Sequence, residues 1–214
     1  MNTALLLIEP ATASELNASV REVSLGLPTL AATTELAALL AGILRSGITV
    51  GLSGGLGVGK TEFVRQLVAQ LRSQTARECV DVISPSFMLE AVYDLPAGPG
   101  LDAIHHWDLY RIAGGELPGE LEEIIADTKL LKLIEWPERV PSLSRLLSLE
   151  LMIAFSDPLP TETPPGAPQA IAAGIPISEG RICRIRVGER MHSKSCEFAI
   201  WNEFLVALKA RLTR

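Results

Sequence analysis

A glycine-rich stretch in the first third of the chain constrains the fold more than any other part of the sequence. It reads GGLGVGKT from Gly54 to Thr61 and matches the pattern GxxxxGK[ST] at every defined position. The apolar run 48–52 precedes it, and residues 62–71 follow with the spacing of an amphipathic helix. Because a strand, this loop and a helix in that order can wrap a phosphate group, the stretch predicts a phosphate-binding loop.

Each residue type in the loop has a physical reason to be there. Glycines let backbone N–H groups approach a phosphate closely, and the following helix directs its positive end at the same group. Lys60 can place an ammonium against the β- and γ-phosphates, and the Thr61 hydroxyl can ligate Mg²⁺. The pattern therefore predicts ATP and Mg²⁺ as the bound groups, and the expected contacts are Gly54, Gly55, Leu56, Gly57, Val58, Gly59, Lys60 and Thr61.

Glu135 is a second candidate, since it ends the apolar run Leu130–Ile134. Ligands of open α/β sheets bind at the carboxyl edge of the strands, where a carboxylate can hold the hydration shell of Mg²⁺ or orient a water. An apolar strand that ends in Glu is common, so this signal has weight only beside the phosphate-binding loop.

Strands that alternate with helices predict an α/β fold, a P-loop NTPase-like three-layer sandwich with a mainly parallel central sheet. Strands are expected at 20–27, 48–52, 80–83, 103–107 and 130–134, and helices at 33–47, 62–71 and 116–126. Thr33 or Thr34 is expected to cap the first helix and Gly47 to end it. The last third predicts an antiparallel pair, 149–155 with 181–187, and a helix over 197–212.

These elements predict one ATPase domain over residues 21–214, with a proline-rich loop at 156–178. Residues 1–20 are expected to be an N-terminal extension, with disorder as an open alternative.

Composition limits the partners and the compartment. The 214 residues carry a formal net charge of −6, so we expect no independent binding to nucleic acid. The three cysteines have no metal-ligand spacing, and no apolar run approaches the length of a membrane span. A cytoplasmic protein with reduced thiols and no membrane contact is the expectation.

Several further segments carry a family resemblance. Residues 84–87 (SPSF), 106–111 (HWDLYR), 120–121 (EL) and 133–138 (LIEWPE) occur in this order, and Leu27-Pro28 with Thr33 lies upstream of the loop. Together with the phosphate-binding loop, these segments resemble the TsaE family, the ATPases of bacterial tRNA threonylcarbamoyladenosine synthesis. The likeness covers roughly residues 23 to 140.

The resemblance implies an ATPase required for N6-threonylcarbamoyladenosine at position 37 of ANN-decoding tRNAs. It implies TsaD-like and TsaB-like partners, with tRNA met only through their complex. By matching motif, Lys60, Asp108 and Glu135 would be catalytic, Thr61 and Glu135 would hold the metal, and Thr33 would lie near the adenosine. Asp108 would position the attacking water or the metal.

Alternatives stay open at this point. Asp108 could be a turn residue, Tyr110 and Trp136 could be core aromatics, and a packing or surface role is expected for His105 and His106. Arg184 and Arg186 are expected on a solvated strand face. A small-molecule or nucleoside kinase and a nucleotide-gated interaction module are the competing functions.

The chain also departs from the family pattern at two positions near the phosphates. Gly55 stands where the family usually has an acidic residue, and Glu62 stands where it often has a second Ser or Thr. These departures bear on turnover and metal binding more than on the fold.

Overall fold

The structure is a single mixed sheet with helices packed against it. The computed structural model describes residues 5–10, 12–17, 19–73, 89–95, 101, 103–112, 115–117, 119–156, 180–188 and 195–213. The strands are β1 Leu6–Glu9, β2 Glu22–Leu27, β3 Thr49–Ser53, β4 Glu90–Asp94, β5 Ala103–Asp108, β6 Leu131–Glu135, β7 Leu149–Phe155 and β8 Arg181–Val187. The helices are α1 Leu30–Ala41, α2 Lys60–Ser73, α3 Gly119–Ala126 and α4 Ser195–Leu212.

The strand order places a parallel centre between antiparallel edges. The order is β1-β2-β8-β7-β3-β6-β5-β4. Strands β7, β3, β6 and β5 run parallel to their neighbours within this group, whereas β8, β2 and β1 on one side and β4 on the other are antiparallel additions. The predicted α/β fold class is confirmed, including the antiparallel pair β7–β8 and the helix that follows it.

Two apolar clusters cover the two faces of the central strands. Within β6, Leu131 and Leu133 contribute to the larger cluster, which includes side chains of α1, α2 and α4. Ile134 points the opposite way, into a smaller cluster with Leu121 and Ile125 of α3. Successive strand residues face opposite sides, so this division follows from apolar residues at both odd and even positions of a strand that is buried on both faces.

The N-terminal part of the chain corrects two expectations. Residues 6–9 are not a bare extension, because β1 pairs antiparallel with β2 and Leu5 is buried. Helix α1 is capped by Thr29, whose hydroxyl accepts from the backbone N–H of Ala32 at 3.2 Å, and neither Thr33 nor Thr34 is its cap.

Helix α1 also ends earlier than expected. The last helical residue is Ala41, and Gly42 is the C-cap. Gly47, the expected end, lies in the turn before β3 with φ of +81°.

Strand β4 is absent from the expected elements, although the structure pairs Glu90–Asp94 with β5. The predicted strand at 80–83 and the segment 84–87 lie outside the described residues, as does residue 157 onward of the proline-rich loop. None of the helices in the described ranges is long and apolar enough to cross a membrane. Cys183 is a free, buried thiol, and burial raises its pKa to about 12.

Candidate active site

The glycine-rich loop joins the carboxyl end of β3 to the first turn of α2, and its conformation depends on glycine. The backbone φ is +134° at Gly54, +78° at Gly57 and +103° at Gly59. A Cβ at Gly54 would lie 2.1 Å from the carbonyl oxygen of Ile153 in β7. The loop therefore rests on the neighbouring strand in a path that residues with a side chain do not readily follow.

Lys60 is buried at the start of α2, and its ammonium closes the loop. Its Nζ donates to the carbonyl oxygens of Gly54 at 2.9 Å and Gly55 at 2.8 Å. The same Nζ lies 3.7 Å from the centroid of the Trp136 ring. Burial lowers the pKa of Lys60, while the charges of Glu135, Glu138 and Asp108 act in the opposite direction, with Glu135 the strongest of the three. The loop thus holds a cation in a site that has little contact with water.

Glu135 is the centre of a hydrogen-bonded group at the end of β6. Its Oε1 accepts from the Thr61 hydroxyl at 2.8 Å and lies 2.9 Å from Nε2 of His106 in β5. Glu135 and His106 are both buried. Thr61, in the first turn of α2, is thereby hydrogen-bonded to the carboxylate that ends β6. Glu135 therefore lies at the carboxyl edge of the parallel strands, beside the loop, as its position at a strand end predicts.

The structure places His106 at the site. The sequence pattern, by contrast, predicts only a packing or surface role for this residue. Since Glu135 is the acceptor, the proton lies on Nε2, and Nδ1 is buried without a partner in the described part of the chain. His105 faces the other way and contacts Glu90 of β4.

Asp108 lies beside Glu135 because β5 and β6 are parallel and pair these two residues. Its side chain is buried, and Oδ1 accepts from the backbone N–H of Tyr110 at 2.9 Å. Asp108 thus has the turn-forming contact that is the alternative interpretation of this residue. It also lines the cavity described next, so the two roles are compatible.

These side chains surround one cavity of about 260 Å³. The residues that line it come from the loop, the first turn of α2, and the ends of β5 and β6: Leu56, Gly57, Gly59, Lys60, Thr61, Glu62, Asp108, Tyr110, Glu135 and Trp136. Glu62, one of the two departures from the family pattern, accepts hydrogen bonds from Arg65 and Gln66 on the helix surface.

Other residues expected at the site do not line the cavity. Gly54 and Gly55 contribute only the carbonyls that hold Lys60, and Val58 is buried in the core. Thr33 is buried in α1, where its hydroxyl contacts the Thr29 carbonyl at 3.4 Å. A place for Thr33 near adenosine stays a prediction.

Two aromatic residues line the cavity. The Tyr110 and Trp136 rings have centroids 5.0 Å apart, and the Arg139 guanidinium lies 5.4 Å and 5.7 Å from them. Trp136 has a left-handed backbone with φ of +58°, which is uncommon for a residue with a bulky side chain. Both rings line the cavity, and Trp136 also packs against the smaller apolar cluster, so its core role and its place at the site are compatible.

Arg181, the first residue of β8, is a further neighbour of the loop that the sequence pattern does not indicate. A Cβ on Gly59 would lie 2.5 Å from Nη1 of Arg181. By contrast, Arg184 and Arg186 lie on the exposed strand face and pair with Glu22 and Glu150, as the alternating pattern predicts.

The donor atoms at the site fit Mg²⁺ better than a softer metal. Thr61 and Glu135 supply oxygen, and Asp108 adds a second carboxylate on the adjacent strand. Among the described residues there is no group of three or more His, Cys, Asp or Glu side chains that could enclose a metal alone. Mg²⁺ suits such a partial set, because it is usually held by one or two carboxylates together with phosphate oxygens and water.

Comparison with known proteins identifies the family. The family model described as "Threonylcarbamoyl adenosine biosynthesis protein TsaE" matches residues 27–158, which include the loop, Asp108 and Glu135. The chain belongs to the TsaE family. This result confirms the resemblance seen in the sequence segments. The family's description places it in threonylcarbamoyladenosine biosynthesis.

Relatives from two bacteria agree with this assignment. The chain is 34% identical over 127 residues to the tRNA threonylcarbamoyladenosine biosynthesis protein TsaE of Rickettsia bellii, covering 58% of this chain and 81% of the relative. It is 39% identical over 108 residues to the TsaE protein of Streptomyces coelicolor, covering 49% and 66%. The crystal structure of Bacillus subtilis YdiB has the same fold, with a TM-score of 0.53, 20% identity, and coverage of 91% of this chain and 98% of that chain.

Proposed function

We propose that this chain is a cytoplasmic Mg²⁺-dependent ATPase that acts with TsaB-like and TsaD-like proteins. Their joint product is N6-threonylcarbamoyladenosine at position 37 of ANN-decoding tRNAs. The observation that supports the ATPase most directly is the convergence of Lys60, Thr61, Asp108 and Glu135 on one cavity at the end of the parallel strands. Family membership supports the pathway.

Nucleotide binding is assigned to the glycine-rich loop. Backbone N–H groups of the loop and the positive end of α2 attract the phosphates, and the Lys60 ammonium neutralises the β- and γ-phosphate charge. Lys60 is held by two carbonyl oxygens, so it is positioned before the nucleotide arrives. Positioning in advance avoids part of the entropy that an exposed lysine would lose on binding.

Hydrolysis is assigned to the carboxylates of β5 and β6. Thr61 and Glu135 would hold Mg²⁺, which would supply positive charge to neutralise the charge that develops on the phosphates. His106 fixes the orientation of the Glu135 carboxylate through its Nε2 hydrogen bond. Asp108, beside Glu135, orients the attacking water, and its own orientation is fixed by the Tyr110 N–H.

The proposal includes partner proteins for an electrostatic reason. Efficient P-loop hydrolysis usually needs an added arginine at the γ-phosphate, worth ~10³–10⁵ in rate. None of the arginines in the described ranges lines the cavity. The net charge of −6 also disfavours binding of tRNA by this chain alone.

The test is a phosphate-release time course in which each component is omitted in turn. We expect slow hydrolysis by the isolated chain, marked stimulation by a TsaB–TsaD complex, and little effect of tRNA without that complex. The Lys60→Ala variant, expected to fold and to lose ATP affinity, reports contaminating ATPase. Full activity of the isolated chain with no response to the partners would contradict the coupled function.

A further inference from the structure

Arg181 lies against the glycine-rich loop and has no role in the proposed mechanism. Its Nη1 would be only 2.5 Å from a Cβ on Gly59, so the guanidinium lies directly against the loop backbone. Gly59 lies immediately before Lys60, at the start of the helix that receives the phosphates. A permanent cation has therefore been placed beside the part of the loop that binds anions.

The arginines of β8 differ in how their charge is paired. Arg184 contacts Glu22 at 3.2 Å and Arg186 contacts Glu150 at 2.6 Å, each across to a neighbouring strand. Arg181 makes no side-chain hydrogen bond or ion pair to any residue in the described ranges. A guanidinium carries five donors and no acceptor, so such a group beside a phosphate-binding loop is suited to an anion.

The strand order decides which end of a nucleotide this arginine can reach. Glu135 and Asp108 end β6 and β5, on one side of β3. Arg181 begins β8, which lies on the other side of β3 beyond β7, and it pairs there with Phe155 and Leu27. The carboxylates mark the metal side, where the β- and γ-phosphates lie. The opposite side of the loop is then left for the α-phosphate and the nucleoside.

We propose that Arg181 binds the α-phosphate of the nucleotide, so that it contributes equally to ATP and to ADP. This inference rests on the proposed nucleotide-binding function and adds a contact at its nucleoside end. The planar guanidinium can donate two parallel hydrogen bonds to one phosphate, which a lysine at the same position cannot do.

The test compares Arg181→Gln and Arg181→Lys with the wild-type chain by calorimetry, titrating ATP and ADP separately. Arg184→Ala is the matched control, because it removes an arginine from the same strand but from the exposed face. We expect Arg181→Gln to weaken ATP and ADP by the same factor, about tenfold or more. Arg181→Lys should recover part of the loss, and Arg184→Ala should bind as the wild type does.

Two outcomes would overturn the assignment. A loss confined to ATP would place Arg181 at the γ-phosphate, and affinities equal to those of Arg184→Ala would mean no contact at all. The Lys60→Ala variant, which should lose ATP affinity, is the control for the nucleotide site itself. A wild-type chain that binds no nucleotide would refute that site, and this outcome differs from a loss confined to the Arg181 variants. Thermal melting of each variant establishes that it is folded, and Arg181→Lys retains the charge should Arg181→Gln unfold.

Discussion

Replacing Gly54 by alanine tests whether the loop depends on its contact with β7. The new Cβ would lie 2.1 Å from the carbonyl oxygen of Ile153, and the backbone φ there is +134°. That oxygen is a poor candidate to yield, because it belongs to a strand that is paired on both sides, with β3 and with β8. The loop itself must therefore move.

The size of the effect follows from these distances. A carbon and a carbonyl oxygen approach no closer than about 3.3 Å, so the loop must retreat by roughly 1 Å. The unfavourable φ adds about 1–3 kcal/mol, and we expect a total loss of about 3 kcal/mol or more in the free energy of unfolding. A displacement of roughly 1 Å at a reacting centre costs about 100-fold in rate, and hydrolysis should fall at least that far.

Gly57→Ala is the matched control. Gly57 also has positive φ, +78°, but a Cβ there has no neighbour within 4 Å. It should lose only the cost of the left-handed backbone, about 1–2 kcal/mol. Urea unfolding followed by circular dichroism gives both values. Equal losses for the two variants would show that contact with β7 is irrelevant and would refute the reasoning.

Two further predictions concern the charged groups. Glu135→Gln and Asp108→Asn should each slow hydrolysis in the assembled system by about 100-fold or more while changing ATP affinity less than about tenfold, as measured by phosphate release and calorimetry; normal turnover in either would remove its catalytic role. ATP affinity should fall as pH rises from the lowered pKa of Lys60 towards 10.5, because bound phosphates favour the protonated amine. Lys60→Arg, which stays charged, should lack that dependence; a fall of the same size in it would assign the titration to another group.

Much of the sheet can be predicted because its signals are local. Strand β8 alternates buried Cys183 and Ile185 with exposed Arg184 and Arg186, and its bounds are those expected. Strands β3 and β6 are largely apolar segments with apolar residues on both faces, so their burial on both faces is visible in the sequence.

The two edge strands lack such a signal. In β4 only Tyr93 is buried, while Val92 is exposed, so no period of two appears. Strand β1 pairs with β2 through a register shift between Leu7 and Glu9. Both strands exist because a neighbour offers an open edge, and such pairing is a tertiary effect.

The residues of the site differ in the same way, because some have a local sequence signal and others do not. Lys60, Thr61 and Glu135 could be placed together because each has a motif or a strand end that fixes its position. His106 precedes a recognised carboxylate by two residues, so period-two alternation could have placed it on the same face as Asp108. Arg181 reaches Gly59 because β8 pairs with β7 and β7 lies beside β3; the sequence predicts the first pairing but not the second.

The position of β3 in the sheet has a consequence for synthesis on the ribosome. Val50 pairs with Leu133 on one side and with Leu149 on the other, so both supports of the strand that leads into the loop are translated after it. Contacts this distant in sequence form late, once the chain entropy of closing the intervening loops has been overcome. The nascent chain thus carries the complete motif long before it can hold a nucleotide. A chain stalled before Leu131 should emerge from the exit tunnel without ATP affinity, and the complete chain should have it after release.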